Sequence, residues 1–159
     1  MDFRIGIGID THKLAEGESL ILGGINIPHY KGTIAHSDGD VLIHAIIDAL
    51  LGASNLGDIG KLFPDTDNKY KNIDSKILLA KTIELLSQNK YKIVNIDSTI
   101  VLQKPKVSEY LNKMKEVLSN EMNIDKSQIS IKASTTEYLG LEGREEGVSV
   151  HAIALLSIL

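Results

Sequence analysis

Phe3-Arg4-Ile5-Gly6-Ile7-Gly8-Ile9-Asp10-Thr11-His12-Lys13-Leu14 alternates with a period of two. In a strand, side chains two apart point the same way. Ile5, Ile7 and Ile9 therefore share one face, and Arg4, Gly6, Gly8, Asp10 and His12 share the other. Asp10 and His12 can grip a common ion while Thr11 faces away. Gly6 and Gly8 leave their face bare, which admits either a ligand or a packed helix close to the backbone. Working outward, residues 19–22 and 25–27 read as short strands around Gly23-Gly24. Residues 38–54 predict a helix with Asp38 at its N-cap. A second helix is expected from 74 or 75 to about 89, then a buried β-branched strand over 91–103. Val107, Leu111, Met114, Leu118 and Met122 recur at helical spacing. Residues 129–135 alternate as a strand, and 149–159 form an apolar strand suited to the centre of a sheet. The expected architecture is α/β of the α+β type: a single domain over residues 1–159, a mixed β-sheet with helices packed on one face.

The 159 residues are enough for one well-filled core and too few for two. A hydrophobic share of 43% with 24% charged residues is that of an ordinary water-soluble domain. The net charge of −4 gives no basic footprint, which argues against nucleic acid as a partner. There is no cysteine, so any metal must be held by His, Asp or Glu. No apolar run reaches bilayer length, and the N-terminus runs straight into a strand pattern without the marks of a signal peptide. The expectation is a cytoplasmic protein with no membrane partner.

The polar residues of interest fall at the ends of regular elements and in the stretches 29–38, 55–73 and 136–147. His44 sits in a helix that is apolar on almost every side, in line with Asp40 and Asp48 four residues away on either side. With Asp10 and His12 it makes a set of two imidazoles and one carboxylate, three protein ligands with a fourth position left for substrate or water. His36 and Ser37 precede that helix, where free N–H groups and the positive dipole end suit a phosphate; Asp38 and Gly39 equally explain the segment as a cap and turn. Asp58, Ile59, Gly60, Phe63, Pro64, Asp65, Thr66 and Asp67 form a carboxylate-rich loop that reads as hydroxyl binding or as turn chemistry. Lys104-Pro105-Lys106 either binds phosphate or a base, or stops a strand. Ser134, Thr135, Thr136 and Glu137 offer hydroxyls and a carboxylate to phosphate and a hard cation, or else cap a helix. Arg144 is either a bidentate phosphate ligand or a member of a surface ion pair. His29 and His151 take no role.

In their order and spacing, Asp10-Thr11-His12, residues 35–40 leading to His44, residues 57–67 and residues 134–137 resemble the 2-C-methyl-D-erythritol 2,4-cyclodiphosphate synthase family of the non-mevalonate isoprenoid pathway. The likeness covers nearly the whole chain. It implies a homotrimer with active sites between neighbouring subunits. It implies zinc at Asp10, His12 and His44, and magnesium or manganese at the substrate diphosphate with help from Glu137. His36 and Ser37 would meet the substrate's 2-phosphate, with His36 and Thr135 as catalytic residues favouring the transition state. Asp58, Ile59, Gly60 and the run Phe63, Pro64, Asp65, Thr66, Asp67 would contact the methylerythritol part. Leu102, Gln103, Lys104, Pro105, Lys106, Val107 and Ser108 of the adjacent subunit would form a cytidine pocket. Ser134, Thr136, Leu141 and Arg144 would complete the substrate contacts. Three positions depart from the family pattern: Ile7 replaces a frequent histidine, Leu141 an aromatic residue, and Ser134 a threonine. The first two bear on the shape of an apolar cavity along the trimer axis.

The reaction implied is cyclisation of 4-diphosphocytidyl-2-C-methyl-D-erythritol 2-phosphate, a CDP-type substrate, with release of CMP. It needs no protein nucleophile, which agrees with the lack of cysteine and of a Ser-His-Asp arrangement. Two other readings share the ligand set. A 2-His-1-carboxylate iron oxygenase uses the same donors but gives no reason for phosphate-leaning loops. A zinc-bridged trimeric binding protein without catalysis would close its metal with a fourth protein ligand.

Overall fold

The computed structural model describes residues 2–159. The alternating N-terminal stretch forms β1 (Phe3–Glu16). It is followed by β2 (Leu20–Leu22), β3 (Ile25–Ile27) and β4 (Lys31–Thr33). The helix α1 (Val41–Ser54), the short α2 (Ile59–Leu62) and α3 (Ser75–Gln88) precede β5 (Tyr91–Val101). The chain ends with α4 (Leu111–Met122), β6 (Ile129–Ser134), α5 (Gly140–Gly143) and β7 (Gly147–Ile158). A five-stranded sheet runs β4-β1-β7-β5-β6, with β2 and β3 paired separately. β5 and β6 are parallel and the other pairings antiparallel. The sheet is therefore mixed, and the apolar C-terminal strand lies at its centre as its composition predicts.

The helices cover one face. α1 lies across β1 and β7, α3 packs beside it, and α4 packs against α3 and β6. Leu42, Ile43, Ile46, Ile47, Leu50 and Leu51 are wholly buried, which accounts for a helix apolar on nearly every side. Gly6 and Gly8 exist for this contact. A Cβ on Gly8 would stand 1.9 Å from the carbonyl oxygen of Ala45, and one on Gly6 would stand 2.1 Å from that of Ala49. Of the two readings of these glycines, the structure realises close helix packing.

The isoleucine face of β1 points the other way. Ile5, Ile7 and Ile9 are 71%, 61% and 54% exposed, and Ile153 of β7, opposite Ile7, is 44% exposed. Alternation defines two faces without saying which one the helices cover.

The N-cap of α1 is Asp40, and the expectation of Asp38 is corrected. Asp40 is fully buried and accepts from Ile43 N of its own helix at 3.0 Å. It also accepts Gly23 N at 2.9 Å and Gly24 N at 2.7 Å. Those two glycines form the two-residue turn between β2 and β3, both at positive φ (59° and 74°), the geometry that favours glycine in tight hairpins. Asp38 has a different task, taken up below. The irregular stretches also hold more structure than expected: β4, α2 and α5 lie within them, with a short 3-10 turn at Asn68–Tyr70. Among the described residues, no helix is long and apolar enough to cross a membrane.

Candidate metal centre

Asp10 and His12 leave β1 on its helix-facing side, and His44 meets them from the first turns of α1. His12 Nδ1 lies 3.1 Å and His44 Nδ1 3.3 Å from the same oxygen, Asp10 Oδ2. Ligand atoms about 2.0–2.2 Å from a tetrahedral zinc lie roughly 3.3 Å from one another, so these spacings are those of tetrahedron edges. Asp10 Oδ2 and His12 Nδ1 are buried without a hydrogen-bond partner. Two orphaned lone-pair atoms side by side are costly unless a cation or proton stands between them. Among the described residues, Asp10, His12 and His44 form a group able to hold a metal ion. Three protein ligands would leave a fourth position for water or substrate, whereas structural zinc is usually closed by four protein ligands.

Electrostatics favour the same reading. Burial pushes the Asp10 carboxyl up, but the two imidazoles against Oδ2 outweigh it and bring Asp10 down to about 2. For His44, burial works against protonation, and the neighbouring Asp10 carboxylate reverses the balance and raises its pKa. The other polar members of the helix stripe are committed elsewhere. Asp40 caps α1, while Asp48 accepts from Ile59 N at 2.8 Å and anchors α2 to α1.

The group opens into a cavity of about 460 Å³. Its wall includes His36, Ser37, Ile59, Gly60, Phe63 and Asp65, together with Lys13, Ile34, Tyr70 and Leu78, which sequence reasoning passed over. His36 Nε2 is 3.2 Å from Asp67 O, which ties the loop before α1 to the 57–67 loop. Asp58, Pro64, Thr66 and Asp67 are not on this wall. Asp58 caps α2 by accepting from Lys61 N at 2.8 Å, and Asp67 caps the following 3-10 turn by accepting from Lys69 N at 3.0 Å.

A second, smaller cavity of about 190 Å³ gathers Leu102, Gln103, Pro105, Lys106, Val107, Ser108, Ser134 and Thr135. Lys104 is exposed beside it. Gln103 Oε1 accepts from Tyr138 N at 3.0 Å and pins the 135–139 turn against this pocket. Glu137 and Tyr138 are both left-handed, at φ 54° and 64°. Thr136 Oγ1 donates to Leu139 O at 2.5 Å. These residues therefore close a turn and do not cap a helix at Glu137; helical geometry begins only at Gly140. Arg144 spends its fork on Glu146, with Nε–Oε1 at 3.0 Å and Nη2–Oε2 at 3.2 Å. Leu141 is partly exposed, near Gly147.

Both cavities lie at the same end of the sheet, since Thr11 faces Ser149, Ser149 faces Val101, and Val101 faces Ser134. Three strand spacings of about 4.8 Å place β1 and β6 roughly 14 Å apart. Within one chain, then, the Asp-His-His group and the Thr135–Glu137 segment stand apart.

A family model described as the YgbB family matches residues 3–157. Over 97% of this chain and 97% of its own length, the 2-C-methyl-D-erythritol 2,4-cyclodiphosphate synthase of Finegoldia magna is 56% identical. Among solved structures, the bifunctional IspDF of Campylobacter jejuni superimposes with a TM-score of 0.96 at 39% identity, covering 99% of this chain and 43% of that one. The CDP complex of Plasmodium falciparum IspF gives 0.86 at 37% identity, covering 98% and 96%.

Proposed function

The chain belongs to the YgbB family, and we propose that it converts 4-diphosphocytidyl-2-C-methyl-D-erythritol 2-phosphate into 2-C-methyl-D-erythritol 2,4-cyclodiphosphate and CMP. It would do so as one cyclodiphosphate synthase domain over residues 1–159 in the cytoplasm. An oxygen of the substrate's 2-phosphate attacks the β-phosphorus. The bond from that phosphorus to the bridging oxygen breaks, and CMP departs with the electron pair. The observation that carries this reading is the three-ligand group lining the larger cavity, with two of its donor atoms buried and unpartnered. The CDP complexes among the relatives support a nucleotide diphosphate as the ligand class.

The chain's own residues position and neutralise; no protein nucleophile is required. Asp10, His12 and His44 would hold zinc, and Glu137 would help hold magnesium or manganese at the diphosphate. Divalent ions at these places supply charge neutralisation for the phosphate oxygens. His36 and Ser37, on the loop before α1, face the same cavity and would orient the 2-phosphate. Holding nucleophile and phosphorus in one bound molecule removes an entropic cost on the order of 7–11 kcal/mol in favourable cases. The smaller cavity would take the cytidine end, with Thr135 beside the reacting phosphates and Arg144 exchanging Glu146 for phosphate.

One chain separates its two cavities by three strand spacings, and its open sheet face presents Ile5, Ile7, Ile9 and Ile153 to solvent. An exposed apolar patch of this kind marks an interaction surface. Both features support a homotrimer in which the metal group of one copy meets the cytidine pocket of the next. The test is direct: CMP and cyclic diphosphate are measured from the CDP-type substrate with and without chelator, for wild type and His12→Ala. Undiminished turnover by His12→Ala in metal-depleted buffer would defeat the reading.

A further inference from the structure

The three metal-facing atoms are only half of the site, because an imidazole can ligate through Nδ1 only if its proton sits on Nε2. Behind His44, Nε2 lies 2.9 Å from Ser75 Oγ, the first residue of α3. Ser75 is fully buried, and both of its donors go to one carboxylate. Ser75 Oγ donates to Asp38 Oδ1 at 2.5 Å, and Ser75 N donates to Asp38 Oδ2 at 2.9 Å. Asp38 also accepts from Asp40 N at 3.1 Å. With three donors converging on it, Asp38 acts as acceptor, so the Ser75 hydroxyl hydrogen is committed to Asp38. Ser75 Oγ can then meet His44 only as an acceptor, and Nε2 must donate. Ser37 Oγ, at 3.2 Å from the same nitrogen, accepts from Gly39 N and leaves the direction of its contact with His44 open.

We infer that Asp38 and Ser75 are positioning residues that fix His44 as its Nε2–H tautomer and present the Nδ1 lone pair to the ion. This rests on the metal reading of Asp10, His12 and His44. Neither residue touches the ion or the reacting atoms. Their effect is to hold one ligand ring in one orientation, an outer-shell role whose loss typically weakens metal affinity about 10–100-fold. The link also has a structural side: Ser75 N is one of the free first-turn N–H groups of α3, and the carboxylate that orients the ligand satisfies it while Asp74 caps the helix by accepting from Lys76 N at 2.9 Å.

The experiment locates the His44 ring proton by long-range proton–nitrogen correlation on ¹⁵N-labelled, zinc-loaded protein, because without the ion the Asp10 carboxylate 3.3 Å from Nδ1 competes for that proton. Zinc affinity is measured in parallel by competition with a chromophoric chelator, for wild type, Ser75→Ala and Asp38→Asn, with folding checked by circular dichroism. Wild type is expected as Nε2–H. Ser75→Ala is expected to mix the tautomers and weaken zinc about 10–100-fold, and Asp38→Asn to do the same with Ser75 still present. Should Ser75→Ala not fold, Asp38→Asn and the wild-type tautomer decide. An Nδ1–H wild-type ring, or variants with unchanged tautomer and zinc affinity within about twofold of wild type, would overturn the inference. A wild type that takes up no zinc would defeat the metal reading itself, and the inference with it.

Discussion

Gly8→Ala adds one methyl group where β1 meets α1. The new Cβ would stand 1.9 Å from Ala45 O and 2.7 Å from Ala49 N, both backbone atoms that no rotamer change can move. Ordinary contact begins at 3.4 Å, so strand and helix must part locally by about 1.5 Å. Overfilling a packed core costs about 1–3 kcal/mol, and a backbone obstacle beneath a buried helix puts this near the upper end, about 3 kcal/mol. In a chain of this size that corresponds to a fall in Tm on the order of 6–12 °C. The same displacement reaches the metal group. Ala45 follows His44 in the helix, so lifting α1 opens the 3.3 Å contact between His44 Nδ1 and Asp10 Oδ2. Metal–ligand distances tolerate only about 0.2 Å, so zinc affinity should fall by at least the roughly tenfold seen when an outer-shell partner is lost. Gly52→Ala, in the same helix, is the control: its Cβ would meet only Ile7 O, at 3.9 Å. There alanine should be neutral or stabilising by about 0.5–1 kcal/mol. Thermal melting and chelator competition read both quantities. A Gly8→Ala protein that melts within about 2 °C of wild type and holds zinc equally would refute the claim that close packing sets the geometry of the site.

Zinc at about 100 times its Kd should stabilise wild type by about 2.7 kcal/mol, reversed by chelator; Asp10→Ala should not respond, and an equal response from both would remove Asp10 from the site. Burial pushes the Asp40 carboxyl above its ordinary 3.8, to about 6, against the pull of its backbone N–H donors. A raised folded-state value means that stability is fully present below the ordinary value and is lost as pH rises through the folded one. Measured against the non-titrating Asp40→Asn variant, wild type should therefore lose relative stability between about pH 4 and 6 and stay flat above, and a gain across that window in denaturant titrations would contradict it. If the proposed homotrimer builds each site from two chains, His12→Ala and Thr135→Ala, each expected to be inactive in CMP release, should recover part of the activity when co-expressed; no recovery in assemblies shown to contain both variants would argue for sites built within one chain.

Chemistry carried by local pattern was legible in the sequence. Asp10 and His12 lie two apart in a strand, and His44 interrupts an apolar helix, so their residue types and spacing mark them before any fold is known. The central position of the last strand was legible in its nearly unbroken apolar composition; in the structure Val148, Val150, Ala152, Ala154 and Leu156 are buried on the helix side, while Ile153 faces the open side of the sheet. Short elements escaped because α2 and α5 have four residues each, barely one helical turn, and show no period to detect. The choice between Asp38 and Asp40 as cap is more instructive. The two are chemically identical and two residues apart, and local rules allow either. What separates them lies far along the chain: Gly23 and Gly24 claim Asp40, and Ser75 claims Asp38. The same holds for the isoleucine face, whose outward direction follows from α1 needing the glycine side of β1. Once α1 sits on Gly6 and Gly8, Asp10 and His12 are carried to its N-terminal end, His44 is fixed above them, and the isoleucines are left exposed on the other face. The packing contact and the metal group are thus one arrangement, and a change at either should be felt at the other.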